Sequence, residues 1–281
     1  MLLAIDVGNT QTVVGVFNGG PSDTAGRAAG ELPGLLHHWR LSTRTDRTVD
    51  EHALLLRELL VSANVALPGQ RDVPSAIEGV VLSSSVPPVT PVLREMVERW
   101  FGLPIVVVGP GIKTGMPVRY ENPREVGADR IVNAVGALDL HGAPSIVVDL
   151  GTATTFDAIS SAGEYLGGAI VPGVEISMDA LFAHASALRR VELSEPRHAI
   201  GRTTAESVQA GAIFGYAALV DGLCRRIADE LGAATVISTG GLAGLITPYT
   251  TVVDHHEPWL TLHGLRLLYA RNSGEEAPEA R

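Results

Sequence analysis

The sequence predicts an α/β protein made of two related halves, and three observations carry that prediction. Short runs rich in Val, Ile and Leu alternate with amphipathic helical patterns, the signature of a layered sheet flanked by helices. The first two strand-like runs stand too close together for a helical crossover, so they must form a hairpin. The strand that ends in Asp6 and turns on Gly8 recurs 143 residues later at Asp149 and Gly151, near the middle of the 281-residue chain.

In order along the chain, strands are expected over 2–6, 12–17, 39–42, 79–83 and 105–108. Thr48 and Glu51 form a capping box, and Val49, Ala53, Leu56 and Leu60 follow at helical spacing. A second helix is expected over 91–101. Residues 19–34, rich in Gly, Ala, Pro and Ser, read as a mobile hairpin loop, and Gly and Pro cluster at a boundary over 109–117. The second half begins with a helix over 123–140, then strands over 145–149, 154–159 and 165–170. Helices over 174–184 and 204–230, a strand over 235–238 and a helix over 262–270 complete it. This gives a first domain over 1–115, a second over 116–270 and a frayed polar tail over 271–281.

Composition narrows the function. The net charge is −10 and the arginines are scattered, which argues against nucleic acid as a partner. Cys224, the single cysteine, excludes an intrachain disulfide and reads as core packing. The chain starts directly on a strand with no leader-like segment, and no stretch reads as the ~20 apolar residues a bilayer span needs. No membrane association and a cytoplasmic location are therefore expected. The pairs His37-His38 and His255-His256 read as solvated loop residues without metal-ligand spacing.

The repeat carries the chemistry. Laid over each other without a gap, Asp6, Gly8 and Thr12 meet Asp149, Gly151 and Thr155. Glycine in a tight hairpin lets backbone N–H groups approach an anion, and small Thr or Asn side chains donate without blocking it. An ionised Asp cannot bind phosphate, but it can hold a cation that bridges phosphates. Other nucleotide sites are absent from the sequence. The only lysine, Lys113, follows Ile112 and not the glycine a P-loop requires. No G-x-G-x-x-G turn leads from a strand into a helix, and there is no G-x-S-x-G or H-E-x-x-H motif.

Between the two turns lies the segment from Tyr120 to Arg130, with Gly127, Ala128 and Asp129 before the arginine. Asp129 and Arg130 are expected at the first turn of a helix, where backbone donors and the positive dipole end are available. There Asp can accept a proton from an attacking hydroxyl and Arg can pair with a carboxylate.

Together, the segments at Asp6–Thr10, Gly127–Arg130, Asp149–Thr152, Gly167–Gly173 and Ser238–Gly241 resemble the type III pantothenate kinases, from Met1 to about Arg271. The resemblance implies duplicated actin-like (ribonuclease H-like) domains with mixed sheets and an ATP cleft between them. It implies a cytoplasmic homodimer that phosphorylates pantothenate with ATP and Mg²⁺ to 4′-phosphopantothenate, the first step of coenzyme A synthesis. By position, Asp129 would be the general base, and Tyr120, Gly127, Ala128, Arg130 and Thr204 would line the pantothenate site. Asp6, Val7, Gly8, Asn9, Thr10, Gln11, Thr12, Val13 and Thr152 would bind ATP, with Asp6 organising Mg²⁺. Asp149 would hold a monovalent cation, K⁺ or NH₄⁺, and Gly240-Gly241 would lie near the adenosine. The long apolar helix over 207–227 would suit the dimer interface. Three departures are a 19–34 loop longer than usual, Arg where many members have Pro in the run Ala187-Leu188-Arg189-Arg190, and His263 where many members have Glu. The alternative from another class is a non-catalytic regulatory accessory factor of the same fold.

Overall fold

The computed structural model describes residues 1–18, 30–66 and 76–273. Most of the 19–34 loop and the end of the tail fall outside these residues. The first sheet is built from β1 (Leu2–Val7), β2 (Gln11–Phe17), β3 (Leu35–Ser42), β4 (Gly79–Ser84) and β5 (Ile105–Val107). The second contains β6 (Ser145–Leu150), β7 (Ala153–Ile159), β8 (Tyr165–Pro172), β9 (Thr235–Thr239) and β10 (His255–His256). Strand order is β3-β2-β1-β4-β5 in one and β8-β7-β6-β9-β10 in the other, so each strand matches the one five places on. In both, the first three strands run antiparallel and the last two join in parallel. This is the duplicated actin-like architecture the sequence predicts.

The hairpin registers correct the ungapped overlay by one residue. In the first hairpin Asp6 faces Val13 and Val7 faces Thr12. In the second, Asp149 faces Thr155 and Leu150 faces Thr154, because that loop is one residue shorter. Thr12 therefore corresponds to Thr154, and the DxGxxxT identity breaks after the glycine.

The helices are α1 (Val49–Ser62), α2 (Val89–Met96), α3 (Ala128–His141), α4 (Val174–His184), α5 (Thr204–Leu231), α6 (Ala243–Ile246) and α7 (Leu260–Asn272). The Thr48–Glu51 capping box opens α1 as expected. A π-helical turn, Val97–Phe101, extends α2 to the expected end. A 3₁₀ turn over Pro123–Glu125 breaks the single helix expected from 123, so α3 starts only at Ala128.

Strand alternation decides what each face of the central strands meets. Leu3, Ile5 and Val7 of β1 pack into a core with α1 and α2, while Leu2 and Ala4 turn toward α3 and α7. In β6, Ile146, Val148 and Leu150 pack with α5, and Val147 turns to the same α3–α7 layer. Asp6 and Asp149 fall on these inner faces, so period-two alternation alone aims both carboxylates at the space between the sheets. The final helix does not stay with the second sheet. α7 packs on α3 and over β1, β2 and β4 of the first sheet.

Other differences have local causes. Both histidine pairs lie in edge strands, not loops. His38 packs tilted against Trp259 at 3.9 Å and His255 stacks on His141 at 4.2 Å. α5 is long and apolar enough to cross a membrane by length and composition, contrary to the sequence expectation. Its Ala212, Ile213, Ala217, Val220 and Cys224 form the core of the second half, which accounts for that apolarity. Cys224 is buried there as expected, and burial pushes its thiol up to about 12.

α3 and α7 cross in close backbone contact. A Cβ placed on Gly264 would lie 2.0 Å from the Val132 carbonyl oxygen, and one on Gly136 would lie 2.9 Å from that of Leu260. Alanine at a mid-helix glycine usually stabilises, by up to ~1 kcal/mol. At this crossing the helices would have to separate, so Gly264→Ala is expected to destabilise by about 3 kcal/mol, read from urea unfolding.

Candidate active site

The two hairpins face each other across one cleft. Thr10 of the first and Thr152 of the second join their hydroxyls at 2.8 Å. Thr43, just after β3, braces the first hairpin. Its hydroxyl donates to the Gly8 carbonyl at 2.7 Å and its N–H to the Thr10 carbonyl at 3.0 Å. Beside the second hairpin, in the turn after β9, a Cβ on Gly240 would come 2.5 Å from Asp149 Oδ1, so only glycine lets that turn approach the carboxylate.

Asp6, Gly8, Asn9, Thr10, Gln11, Val13, Asp129, Asp149 and Thr152 all line this cleft, as do Gly240 and Gly241. Val7 and Thr12 do not. Val7 is in the α1–α2 core, and the Thr12 hydroxyl bonds Thr43 at 2.9 Å on the far side of the sheet. The alternation that points Asp6 inward points them away.

Asp129 stands in the first turn of α3, behind Gly127. One of its oxygens accepts from the Ser85 hydroxyl at 3.0 Å, the other from the Arg130 N–H at 2.9 Å. Gly127 gives it room, since a Cβ there would lie 2.5 Å from Asp129 Oδ1. One turn on, Asn133 donates to Asp149 at 2.9 Å and accepts from Thr261 at the start of α7 at 2.7 Å. Ser85 and Asn133 escaped the sequence reading, although Asn133 shares a helix face with Asp129 at i, i+4. Ser85 follows β4, the counterpart of the β9 turn at Gly240-Gly241.

Asp6 and Asp149 are both pushed up to about 7, first by burial and then by the charge of Asp129. Each also has a smaller opposing pull, for Asp149 from the Asn133 hydrogen bond. Carboxylates so placed fit the bound cations the resemblance implies, because among the described residues neither has a cationic side chain in contact.

The acceptor set is only partly assembled around the cleft. Arg130, next to Asp129, points the other way. Its Nε donates to the buried Asp157 at 2.7 Å, Nη2 to the Phe156 carbonyl at 3.3 Å, and the guanidinium lies 5.9 Å from the Tyr165 ring centre. Tyr165 also donates to Asp157 at 2.8 Å. Burial lifts Asp157 to about 6 against the opposing charge of Arg130, which leaves an ion pair at neutral pH. Asp157 was not foreseen; its signal was an inward charged residue in the middle of a strand. Tyr120 packs over Gly167, where a Cβ would meet its ring at 3.0 Å. Ala128 packs into the central core, and Thr204 lines a separate groove between α4 and α5 with Ser177 and Leu181.

The raised groups fix a pH dependence. Asp6 and Asp149 bind protons more tightly folded than unfolded, so their stabilising effect is complete below about pH 4 and lost as pH rises through about 7. Without divalent or potassium ions, the melting temperature is expected to fall by roughly 5 °C or more from pH 5 to pH 8. Asp149→Asn should flatten that fall in scanning calorimetry, as should Mg²⁺ with K⁺.

A family model described as type III pantothenate kinase matches residues 2–226. A type III pantothenate kinase of Anaeromyxobacter sp. (strain Fw109-5) is 52% identical over 273 residues, covering 97% of this chain and 100% of its own length. One from Myxococcus xanthus (strain DK1622) is 50% identical over 273 residues, with 97% and 99% covered. Among solved structures, ethanolamine utilization protein EutJ from Carboxydothermus hydrogenoformans superimposes with a TM-score of 0.53 at 15% identity, covering 95% of this chain and 89% of its own. That last likeness is one of fold alone.

Proposed function

This chain belongs to the type III pantothenate kinase family, and from that premise we propose that it transfers the γ-phosphoryl group of ATP to the terminal hydroxyl of pantothenate. The product is 4′-phosphopantothenate, at the first step of coenzyme A synthesis. The observation that carries the reading is Asp129. It stands in the same cleft as both phosphate hairpins, held by Ser85 and facing Asp6 and Asp149. Asp6, Asp129 and Asp149 are all present, whereas a non-catalytic accessory factor would be free to lose them, and nothing favours that alternative.

In this reaction the Asp129 carboxylate takes the proton of the attacking hydroxyl as the hydroxyl oxygen bonds to the γ-phosphorus and the bond from that phosphorus to the β,γ-bridging oxygen breaks, releasing ADP. The hairpin backbones at Gly8 and Gly151 approach the phosphates, while Thr10 and Thr152 donate hydroxyls. Asp6 would hold Mg²⁺, and Asp149, oriented by Asn133, a K⁺ or NH₄⁺ ion, and such cations would offset the charge of the phosphates and the carboxylates. On the acceptor side, Tyr120, Gly127, Ala128 and Thr204 stay assigned to pantothenate. Arg130 can offer its carboxylate only the guanidinium edge that Asp157 leaves open.

A homodimer in the cytoplasm belongs to the same proposal; α5 fills the core with one face and leaves Gly211, Gly215 and Ala218 exposed on another. Leu166 and Ile170 of β8 with Ile176 and Leu181 of α4 expose large apolar surface side by side in the chain. Light scattering should give twice the chain mass, and Ile170→Glu should shift it toward the monomer.

The decisive assay is ATP-dependent phosphorylation of pantothenate with and without K⁺. Turnover should require K⁺ or NH₄⁺, and Asp129→Asn should lower kcat by at least ~10³-fold while Mg·ATP binding persists. Near-normal turnover in that variant would remove Asp129 as the base.

A further inference from the structure

The cleft has a charge problem that its carboxylates make worse. Among the described residues that line it, the charged side chains are Asp6, Asp129, Asp149, Glu175 and Arg40. A nucleotide polyphosphate entering there meets four carboxylates and a single fixed cation. Arg40 comes from β3, where its backbone pairs with Val13 and its side chain is exposed on the cleft side.

Its surroundings hold the guanidinium in place without consuming it. The guanidinium carbon lies 5.2 Å from the Trp259 ring centre, and Trp259 is itself packed against His38. Among the described residues its hydrogen bond is a long one, 3.4 Å from Nη1 to Gln11 Oε1. Across the cleft, a Cβ on Gly241 would lie 3.8 Å from Arg40 Nη1 and 3.7 Å from Gln11 Oε1. The side chain thus reaches from the first sheet to the glycine turn of the second, passing over the phosphate hairpins. Its charge already extends to Asp149, where it opposes the upward shift.

We propose that Arg40 is a binding residue for the nucleotide's polyphosphate, engaging it with the guanidinium fork across the cleft between the two hairpins. This rests on the kinase reading above. Arg suits the place because its planar donors match phosphate oxygens two at a time, which a lysine cannot do.

Calorimetric titration with a non-hydrolysable Mg·ATP analogue, without acceptor, tests it. Arg40→Gln should weaken that analogue by roughly 10- to 100-fold, leave AMP within about threefold, and keep the wild-type melting temperature. Arg40→Lys should fall between, and KM for ATP should rise while KM for pantothenate holds. Unchanged analogue binding in Arg40→Gln, or an equal loss for AMP, would overturn the assignment of Arg40. Failure of the wild-type protein to bind the analogue would instead overturn the kinase reading on which it rests.

Discussion

Two carboxylates at the ends of buried central strands set the terms for this molecule. Asp6 and Asp149 must carry charge where burial resists it and where Asp129 adds repulsion. Burying an ionised carboxylate unpaired costs several kcal/mol. Ordinary proteins relieve that cost with an Arg or Lys partner. Here neither Asp is given one in contact; Asn133, a neutral donor, orients Asp149. The unrelieved charge is what suits the cleft, under the proposed function, to cations and, through them, to phosphates.

Such a site holds only if both sheets keep their spacing. α3 lies between them with Ile131, Val132, Ala134, Val135 and Ala137 buried, and α7 returns from the second half to cover the first sheet. The glycines at their crossing bring the two backbones together, so the layer is thin and stiff. Asn133 joins this packing to the site, being bonded to Asp149 on one side and to Thr261 of α7 on the other. Any hinge between the halves would have to disturb that chain of contacts or turn around it.

How much of this was legible in the sequence depended on range. Strands, the capping box and the duplicated hairpins were readable because period-two runs and local caps act within a few residues. Asp6 and Asp149 were readable as a matched pair of strand ends because the same motif occurs twice. The one-residue slip between Thr12 and Thr154 was not, since a shorter loop preserves the look of an ungapped match. Nor were Ser85, Asn133 and Arg40, whose parts depend on which element faces which across the cleft. His263 shows the same limit: it departs from the family pattern, yet it is fully buried with Nε2 at 2.7 Å from Asp139 of α3.

The neighbours Asp129 and Arg130 illustrate the remaining step. On a helix, consecutive side chains point about 100° apart, so a motif read as one unit is divided between two surroundings. Asp129 reaches the cleft because Gly127 leaves it space and Ser85 steadies it. Arg130 turns under the second sheet, where Asp157 and Tyr165 hold it. That buried pair fixes the rotation of α3, since any turn that freed Arg130 would strand Asp157 without a counter-charge. The rotation fixed by Arg130 is in turn what aims Asp129 between the hairpins. Whatever edge Arg130 offers a substrate, its interior contacts already orient Asp129, which under the proposed reaction means orienting the base.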